Sequence, residues 1–438
     1  MSDQKIVPAR GLVGTARLPG DKSISHRLAI LAALAEGTTE LRNFCPGDDC
    51  RRTLDCLRAL GVSLEVAGQP ESALSVHVAG RGLGGLEAPA GELDAGNSGS
   101  TLRMLAGVLA AHPFESVLTG DASLSRRPMR RVMEPLRQMG ASLTARDGDF
   151  PPLRICGAAL QAIDYVLPVA SAQVKTAILL AGLHASGATS VEEPARTRDH
   201  TEIALAEFGA RLERHKHRVT LQGRPRLRGK AFFIPNDLSA AAFLMAAGVL
   251  LPETNLVLPQ VGLNPTRTGL LDFLAAQGAQ VKILDVQEAN GELRGSLHLR
   301  ARFGRGGARL RGGALEGALT VALIDELPVL AVLGTQTEEG LRLRDAAELR
   351  VKESDRLGAL AENLRRLGVT VREYPDGLDI PGQQRLRGAE VDSFGDHRLA
   401  MALAVAGLVA EGETTLRNAE CVEVSFPGFY EVLEALRA

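Results

Sequence analysis

Tryptophan is absent from the 438 residues, aromatic residues make up 3%, and 50 lysines and arginines face 52 aspartates and glutamates for a formal charge of −2. A chain so short of stacking rings and of net positive charge has neither the basic footprint nor the platforms of a nucleic-acid binder, so no nucleic-acid partner is expected. The five cysteines (Cys45, Cys50, Cys56, Cys156 and Cys421) are odd in number and show neither a CxxC pair nor a zinc-ligand spacing. That argues against a disulfide framework and a structural metal. The apolar runs 240–251 and 399–410 are too short to span a bilayer, and the start MSDQKIVPAR lacks the apolar core of a signal peptide. A cytoplasmic protein with no membrane partner is expected.

What the chain does have is cations at helix starts. In LPGDKSISHR, residues 18–27, a Pro-Gly break precedes Asp21 or Ser23 as a cap, and an apolar run follows. Lys22, Ser23 and the free N–H groups of the first helical turn converge there, with Arg27 one turn on, which suits a phosphate or carboxylate. Alone, Lys22 and Arg27 read as solvated surface charges.

Five further segments repeat this layout: GNSGSTLRM at 96–104, VASAQVKTA at 169–177, PNDLSAAAF at 235–243, LIDELPVLA at 323–331 and FGDHRLAM at 394–401. Lys22, Asn97, Ala172, Leu238, Glu326 and His397 mark steps of 75, 75, 66, 88 and 71 residues, a repeat at subdomain scale. Within each repeat a second helix ends in glycine (Gly61, Gly140, Gly209, Gly278, Gly368) and runs into a strand, as a left-handed C-cap allows. The sixth copy stops inside its second helix, whereas residues 5–18 read as strand with no helix before them. The length exceeds one core. The pattern therefore predicts an α/β fold of two domains with three units each, at 20–234 and at 1–19 plus 235–438, the second completed by the N-terminal strand. The glycine-rich 80–87 lacks a following apolar helix and reads as a surface loop, not a dinucleotide site.

LPGDKSISHR, GNSGSTLR, SRRPM, SAQVK, TRDHTE, IDELPVLA, RVKESDRL and FGDHRLAM occur in one order along the whole chain. In this the chain resembles the 5-enolpyruvylshikimate-3-phosphate synthases, particularly their class II branch. The resemblance implies two domains of three βαβαββ units (an inverse α/β barrel) and transfer of the enolpyruvyl group of phosphoenolpyruvate to shikimate 3-phosphate. It implies no metal or organic cofactor, small-molecule substrates as the partners, a monomer, and glyphosate as an inhibitor, since Gly99 leaves the phosphoenolpyruvate pocket open.

It also implies residue roles. Lys22, Asp325 and Glu353 would be catalytic, Asp325 near the attacking 5-hydroxyl, Glu353 near the methylene carbon, and Lys22 between both substrates. Lys22, Ser23, Arg27, Ser171, Ala172, Gln173, Arg198, Asp325 and Lys352 would hold shikimate 3-phosphate. Lys22, Asn97, Gly99, Arg127, Gln173, Glu353, Arg356 and Arg398 would hold phosphoenolpyruvate. From the residues alone, Asp325 reads equally as the cap of helix 326–333, Glu353 as part of an alternating surface charge run, and Asp48 and Asp49 as turn and helix caps. One departure is Val424, where some family members carry a cleft lysine. The rival readings are a UDP-N-acetylglucosamine enolpyruvyl transferase, which would use a mobile-loop cysteine where residues 107–127 have none, and a noncatalytic or RNA-end-processing relative of similar fold.

Overall fold

Six apolar helices begin where the six polar turns end, and in five of them a short oxygen-bearing side chain accepts the first free N–H. In the computed structural model, which describes residues 3–68, 73–301 and 310–438, these helices are α1 (Lys22–Leu34), α2 (Gly99–Leu109), α3 (Ala172–Gly182), α4 (Leu238–Leu250), α5 (Leu327–Gly334) and α6 (His397–Val409). The caps are Asp21 to the N–H of Ile24, Ser98 to Thr101, Ser171 to Val174, Asp237 to Ser239 and Asp396 to Arg398. Each leaves the remaining N-terminal donors of its helix available to an anion.

The chain divides into two compact units, one of residues up to 19 with 235–287 and 293–438, the other of 20–234 with 288–292. Each has its own apolar core. Each unit holds three of the six helices, which are buried almost throughout. Burial on all sides explains why they read as continuous apolar runs without a polar stripe. The second helices of the repeats are two-faced instead: Asp48–Ala59 buries Cys50, Leu54 and Leu57 while Arg51, Asp55 and Arg58 stay exposed. Close helix packing uses glycine: a Cβ on Gly107 of α2 would lie 2.2 Å from the carbonyl oxygen of Ala177 in α3.

Five of the six sheets have four strands in which a parallel pair leads into an antiparallel hairpin, and the sixth has three. In the second repeat, Leu93–Asp94 runs parallel to Glu115–Thr119, which pairs antiparallel with Phe150–Cys156, and Ser142–Arg146 closes the edge. Two repeats take their leading strand from elsewhere in the chain. Ala231–Phe233 pairs parallel with Glu36–Phe44, Phe232 opposite Leu41, and Val13–Thr15 pairs parallel with Asn255–Gly262. The last sheet takes its third strand from Gln4–Ile6, antiparallel to Thr414–Arg417. Residues 5–18, expected as one strand, thus supply strands to two different sheets. The long fourth step of 88 residues contains the nine-residue strands Val281–Ala289 and Glu292–Arg300, the first of them nearly twice the five residues of Ser63–Ala67 and Ser142–Arg146. Gly80, expected in a loop, ends the strand Leu74–Arg81; a Cβ there would meet the Ala35 carbonyl oxygen at 2.1 Å.

The five second-helix glycines all carry positive φ, from 81° to 112°. Among the described residues no helix is long and apolar enough to cross a membrane, and all five cysteines are free thiols.

Candidate active site

Unit 20–234 gathers one set of the expected residues at the starts of its three buried helices. Lys22 opens α1, and its ammonium lies 3.0 Å from the Asp49 carboxylate, both largely shielded from solvent. Asp49 was expected as a cap; the helix Asp48–Ala59 has Gly47 at its N-cap with no side-chain bond, and Asp49 instead anchors Lys22. Ser23 Oγ accepts from Arg198 Nη1 at 3.2 Å. Arg27 is buried, donating from Nε to Thr201 Oγ1 (2.7 Å), from Nη1 to the Ser23 carbonyl (2.8 Å) and from Nη2 to Thr176 Oγ1 (3.1 Å).

At α2, Asn97 Oδ1 accepts from Arg127 Nη2 at 2.6 Å, while Asn97 donates from Nδ2 to Asp121 at 2.7 Å. Arg127 is 6% exposed. Gln173 on α3 accepts from Arg103 Nη1 (2.8 Å) and donates to Ser100 Oγ (2.9 Å), and Ser171 caps the helix that Ala172 opens. Gly99 sits against the same guanidinium groups: a Cβ there would lie 2.5 Å from Arg103 Nη1 and 3.4 Å from Arg127 Nη1. The structure thus brings together Asn97, Gly99, Arg127 and Gln173, and adds Arg103, which the sequence reading passed over although it lies one helical turn beyond Gly99.

The hydroxyl chain beneath these helix starts is continuous. His26 Nδ1 lies 2.7 Å from Thr53 Oγ1, which is 2.7 Å from Thr101 Oγ1, which donates to Ser98 Oγ at 2.8 Å. Burial, together with the charges of Lys22 and Arg27, drives the His26 pKa well below its ordinary value, so the ring is neutral.

The second set lies in the other unit. Arg356 is 1% exposed and is ringed by carboxylates: Asp396 at 2.7 Å from Nε, Glu353 at 2.5 Å from Nη2, and Asp325 at 3.8 Å from Nη1. Arg398 donates from Nη1 to the Asp325 carbonyl at 2.9 Å, and its Nη2 lies 3.4 Å from the Asp325 carboxylate. Asp325 therefore does not cap α5, whose N-cap is Glu326 with no side-chain bond; its carboxylate lies between two arginines. Glu353 is likewise an ion-pair partner of a buried arginine, not a member of a solvated run. The Lys352 pKa is lowered, chiefly by desolvation and secondarily by Arg356, against the opposing pull of Asp325, Glu348 and Glu353. Asp396, fully buried, was not anticipated: it holds Arg356 and caps α6 at the N–H of Arg398. Val424 ends the short helix Ala419–Val424.

Each set combines guanidinium or ammonium groups with helix N-termini, and carboxylates lie within reach of the cations in both. Such an arrangement binds phosphates and carboxylates and provides proton acceptors and donors beside them. The comparisons with known proteins agree with this chemistry. The profile of the family described as EPSP synthase (3-phosphoshikimate 1-carboxyvinyltransferase) matches residues 6–433. A protein named 3-phosphoshikimate 1-carboxyvinyltransferase from Solibacter usitatus (strain Ellin6076) is 55% identical over 99% of both chains, and one from Koribacter versatilis (strain Ellin345) is 50% identical over the same share. Among solved structures, an EPSP synthase from Acinetobacter baumannii is 40% identical and superposes with a TM-score of 0.86 over 99% of this chain and 98% of that one. The enolpyruvyl transferase NikO from Streptomyces tendae, 20% identical, shares the fold with a TM-score of 0.78 over 99% of this chain and 96% of that one. With the family profile matching residues 6–433 and relatives of that name at least 50% identical over 99% of the chain, the chain belongs to the EPSP synthase family.

Proposed function

We propose that this protein transfers the enolpyruvyl group of phosphoenolpyruvate to the 5-hydroxyl of shikimate 3-phosphate and releases inorganic phosphate, and that both sets of side chains act on the one pair of substrates. The observation that carries the reading is the match to the family over residues 6–433. In the proposed division of labour, Ser23, Arg27, Ser171, Ala172, Gln173, Arg198 and Lys352 hold shikimate 3-phosphate. Asn97, Gly99, Arg127, Gln173, Arg356 and Arg398 hold phosphoenolpyruvate, and Lys22 reaches both.

The chemistry is an addition followed by an elimination. Asp325 accepts the proton of the 5-hydroxyl as its oxygen bonds to C2 of phosphoenolpyruvate, and Glu353 delivers a proton to C3, turning the methylene into a methyl group. Glu353 then takes back a proton from that methyl group as the bond from C2 to the phosphate oxygen breaks, which restores the double bond, and the departing phosphate carries away the proton held by Asp325. Cations already in place next to the reacting anions lower the cost of the charge that develops at each step. Both carboxylates are ion-paired with Arg356, the cation on which phosphoenolpyruvate is proposed to bind. The protein would act as a monomer of 46.4 kDa in the cytoplasm.

The deciding experiment is phosphate release by the purified protein with both substrates, each alone, and UDP-N-acetylglucosamine in place of shikimate 3-phosphate. Release that requires shikimate 3-phosphate, with a product heavier by one enolpyruvyl group, is expected. Equal release with the nucleotide sugar would overturn the assignment.

A further inference from the structure

Lys175, on the inward side of α3, is 1% exposed and carries its charge in the core of unit 20–234. Its ammonium lies 2.8 Å from Glu193 and 2.7 Å from Glu202, carboxylates that are themselves 6% and 5% exposed. These two glutamates bracket a segment. Glu193 follows the strand Ala188–Glu192, Glu202 lies in the first turn of the helix His200–Glu207, and Arg198 lies between them. Thr197, next to Arg198, donates its hydroxyl to the second oxygen of Glu193. The neighbours of the clamp are tied in turn to α1: Thr176 and Thr201, adjacent in sequence to Lys175 and Glu202, lie 2.6 Å apart at Oγ1, and both accept from Arg27.

We propose that Lys175 is a positioning residue for substrate binding: one buried ammonium staples both ends of segment 193–202 and thereby sets Arg198 against Ser23. A buried charge is costly unless paired, and here it meets two carboxylates at hydrogen-bonding distance with no exposure. A core of this size has no need of three charges for packing, since apolar side chains of the same volume fill such space at least as well. What an apolar trio cannot do is fix direction. A charge-assisted hydrogen bond to Glu193 and a 2.7 Å ion pair with Glu202, both from one nitrogen, set the separation of residues 193 and 202, which fixes the span the intervening eight residues must bridge. Arg198 has a long, flexible side chain, so its placement depends on that span.

The proposal rests on the reading of Arg198 as a shikimate 3-phosphate ligand, and a double-mutant cycle separates the two. Binding of shikimate 3-phosphate is measured by calorimetry for the intact protein, Lys175→Met, Arg198→Ala and the double variant, with thermal melts alongside. Lys175→Met is expected to weaken binding about tenfold in the native background and less than twofold once Arg198 is gone. Thr197→Val loosens the same segment without stranding a buried carboxylate, so it serves if Lys175→Met does not fold; about threefold weakening, again absent with Arg198→Ala, is expected. Equal losses with and without Arg198, or unchanged binding in Lys175→Met and Thr197→Val, would overturn the clamp. Unchanged binding in Arg198→Ala alone would instead overturn the assignment of Arg198.

Discussion

Replacing Gly99 with alanine separates site geometry from fold stability, because the new methyl group touches only the far ends of long side chains. Its Cβ would lie 2.5 Å from Arg103 Nη1, about 1 Å inside ordinary contact, and 3.4 Å from Arg127 Nη1. Gly99 is the first residue of α2, and no left-handed backbone is required there. Alanine is favoured over glycine in a helix by roughly 0.5–1 kcal/mol, so the melting temperature should hold or rise. Function should move the other way. Arg103 can clear the methyl group only by swinging its guanidinium off Gln173, to which it now donates at 2.8 Å. Loss of one hydrogen bond to a charged group corresponds to about 1.5–3 kcal/mol, or about 10- to 150-fold in the affinity of a ligand held by that pair. Steady-state kinetics should therefore show KM for phosphoenolpyruvate raised at least tenfold, and because Gln173 is assigned to both substrates, KM for shikimate 3-phosphate should rise as well. Glyphosate inhibition should weaken by more than phosphoenolpyruvate binding if that inhibitor fills the same space more tightly. A KM for phosphoenolpyruvate within twofold of the parent value would refute the placement of Gly99, Arg103 and Gln173 around that substrate.

Asp396→Ala should destabilise the unit that contains it by about 3–5 kcal/mol in denaturant titration, because it leaves Arg356 buried without its fully buried carboxylate partner and uncaps α6. Stability should also fall as pH drops below about 6.5. Burial lowers the pKa of His184 to about 3 and that of His26 well below 6.5, so the unfolded chain takes up protons that the folded chain refuses. A fully shielded histidine of this kind contributes a loss of about 2 kcal/mol between pH 7 and pH 5; His184, which keeps partial exposure, contributes less, and His184→Gln should flatten the measured slope. Asp325→Asn and Glu353→Gln keep shape but remove basicity, so each should lower turnover about a hundredfold or more with substrate binding largely retained. Glu353→Gln should in addition suppress entry of solvent deuterium into phosphoenolpyruvate during turnover.

The helix starts were legible because their chemistry is local. Asp21, Ser98, Ser171, Asp237 and Asp396 each stand directly before an apolar run, and a cap needs only a donor two or three residues away. The repeat was legible for the same reason, since each copy carries its own turn, cap and C-terminal glycine. Partners distant in sequence left no comparable trace. Asp49 reads as a turn residue until it is found 27 residues from Lys22 and 3.0 Å from its ammonium, and Asp396 reads as a cap alone until Arg356 is found against it. Lys175 looks like any helix-face lysine in SAQVK, because charge in a sequence carries no record of depth. Asp325 and Glu353 had local explanations, capping and surface pairing, that the structure replaces with ion pairs to a buried arginine. The N-terminal residues were read as one strand because strand propensity cannot say that its two ends join different sheets.

These ion pairs bear on how a chain of net charge −2 can hold two polyanions. Three of the cations assigned to the substrates already have carboxylate partners: Lys22 has Asp49, Arg356 has Asp396, Glu353 and Asp325, and Arg398 has Asp325. A buried guanidinium without them would carry a desolvation cost of several kcal/mol, so the carboxylates let the site fold before any ligand arrives. The same pairing sets the terms of binding. A substrate phosphate or carboxylate must share or displace a protein carboxylate, so part of its attraction to the cation is offset by the contact it disturbs. Asp396, fully buried and bonded to Arg356, Ser354 and the first turn of α6, is held from three sides and is the partner least able to leave. Asp325 and Glu353, 15% and 17% exposed, are the partners nearer to solvent. In the proposed reaction an incoming carboxylate that takes over a place on Arg356 does so beside Asp325 and Glu353, so the same carboxylates that balance the buried guanidinium are the ones the proposal makes the proton carriers.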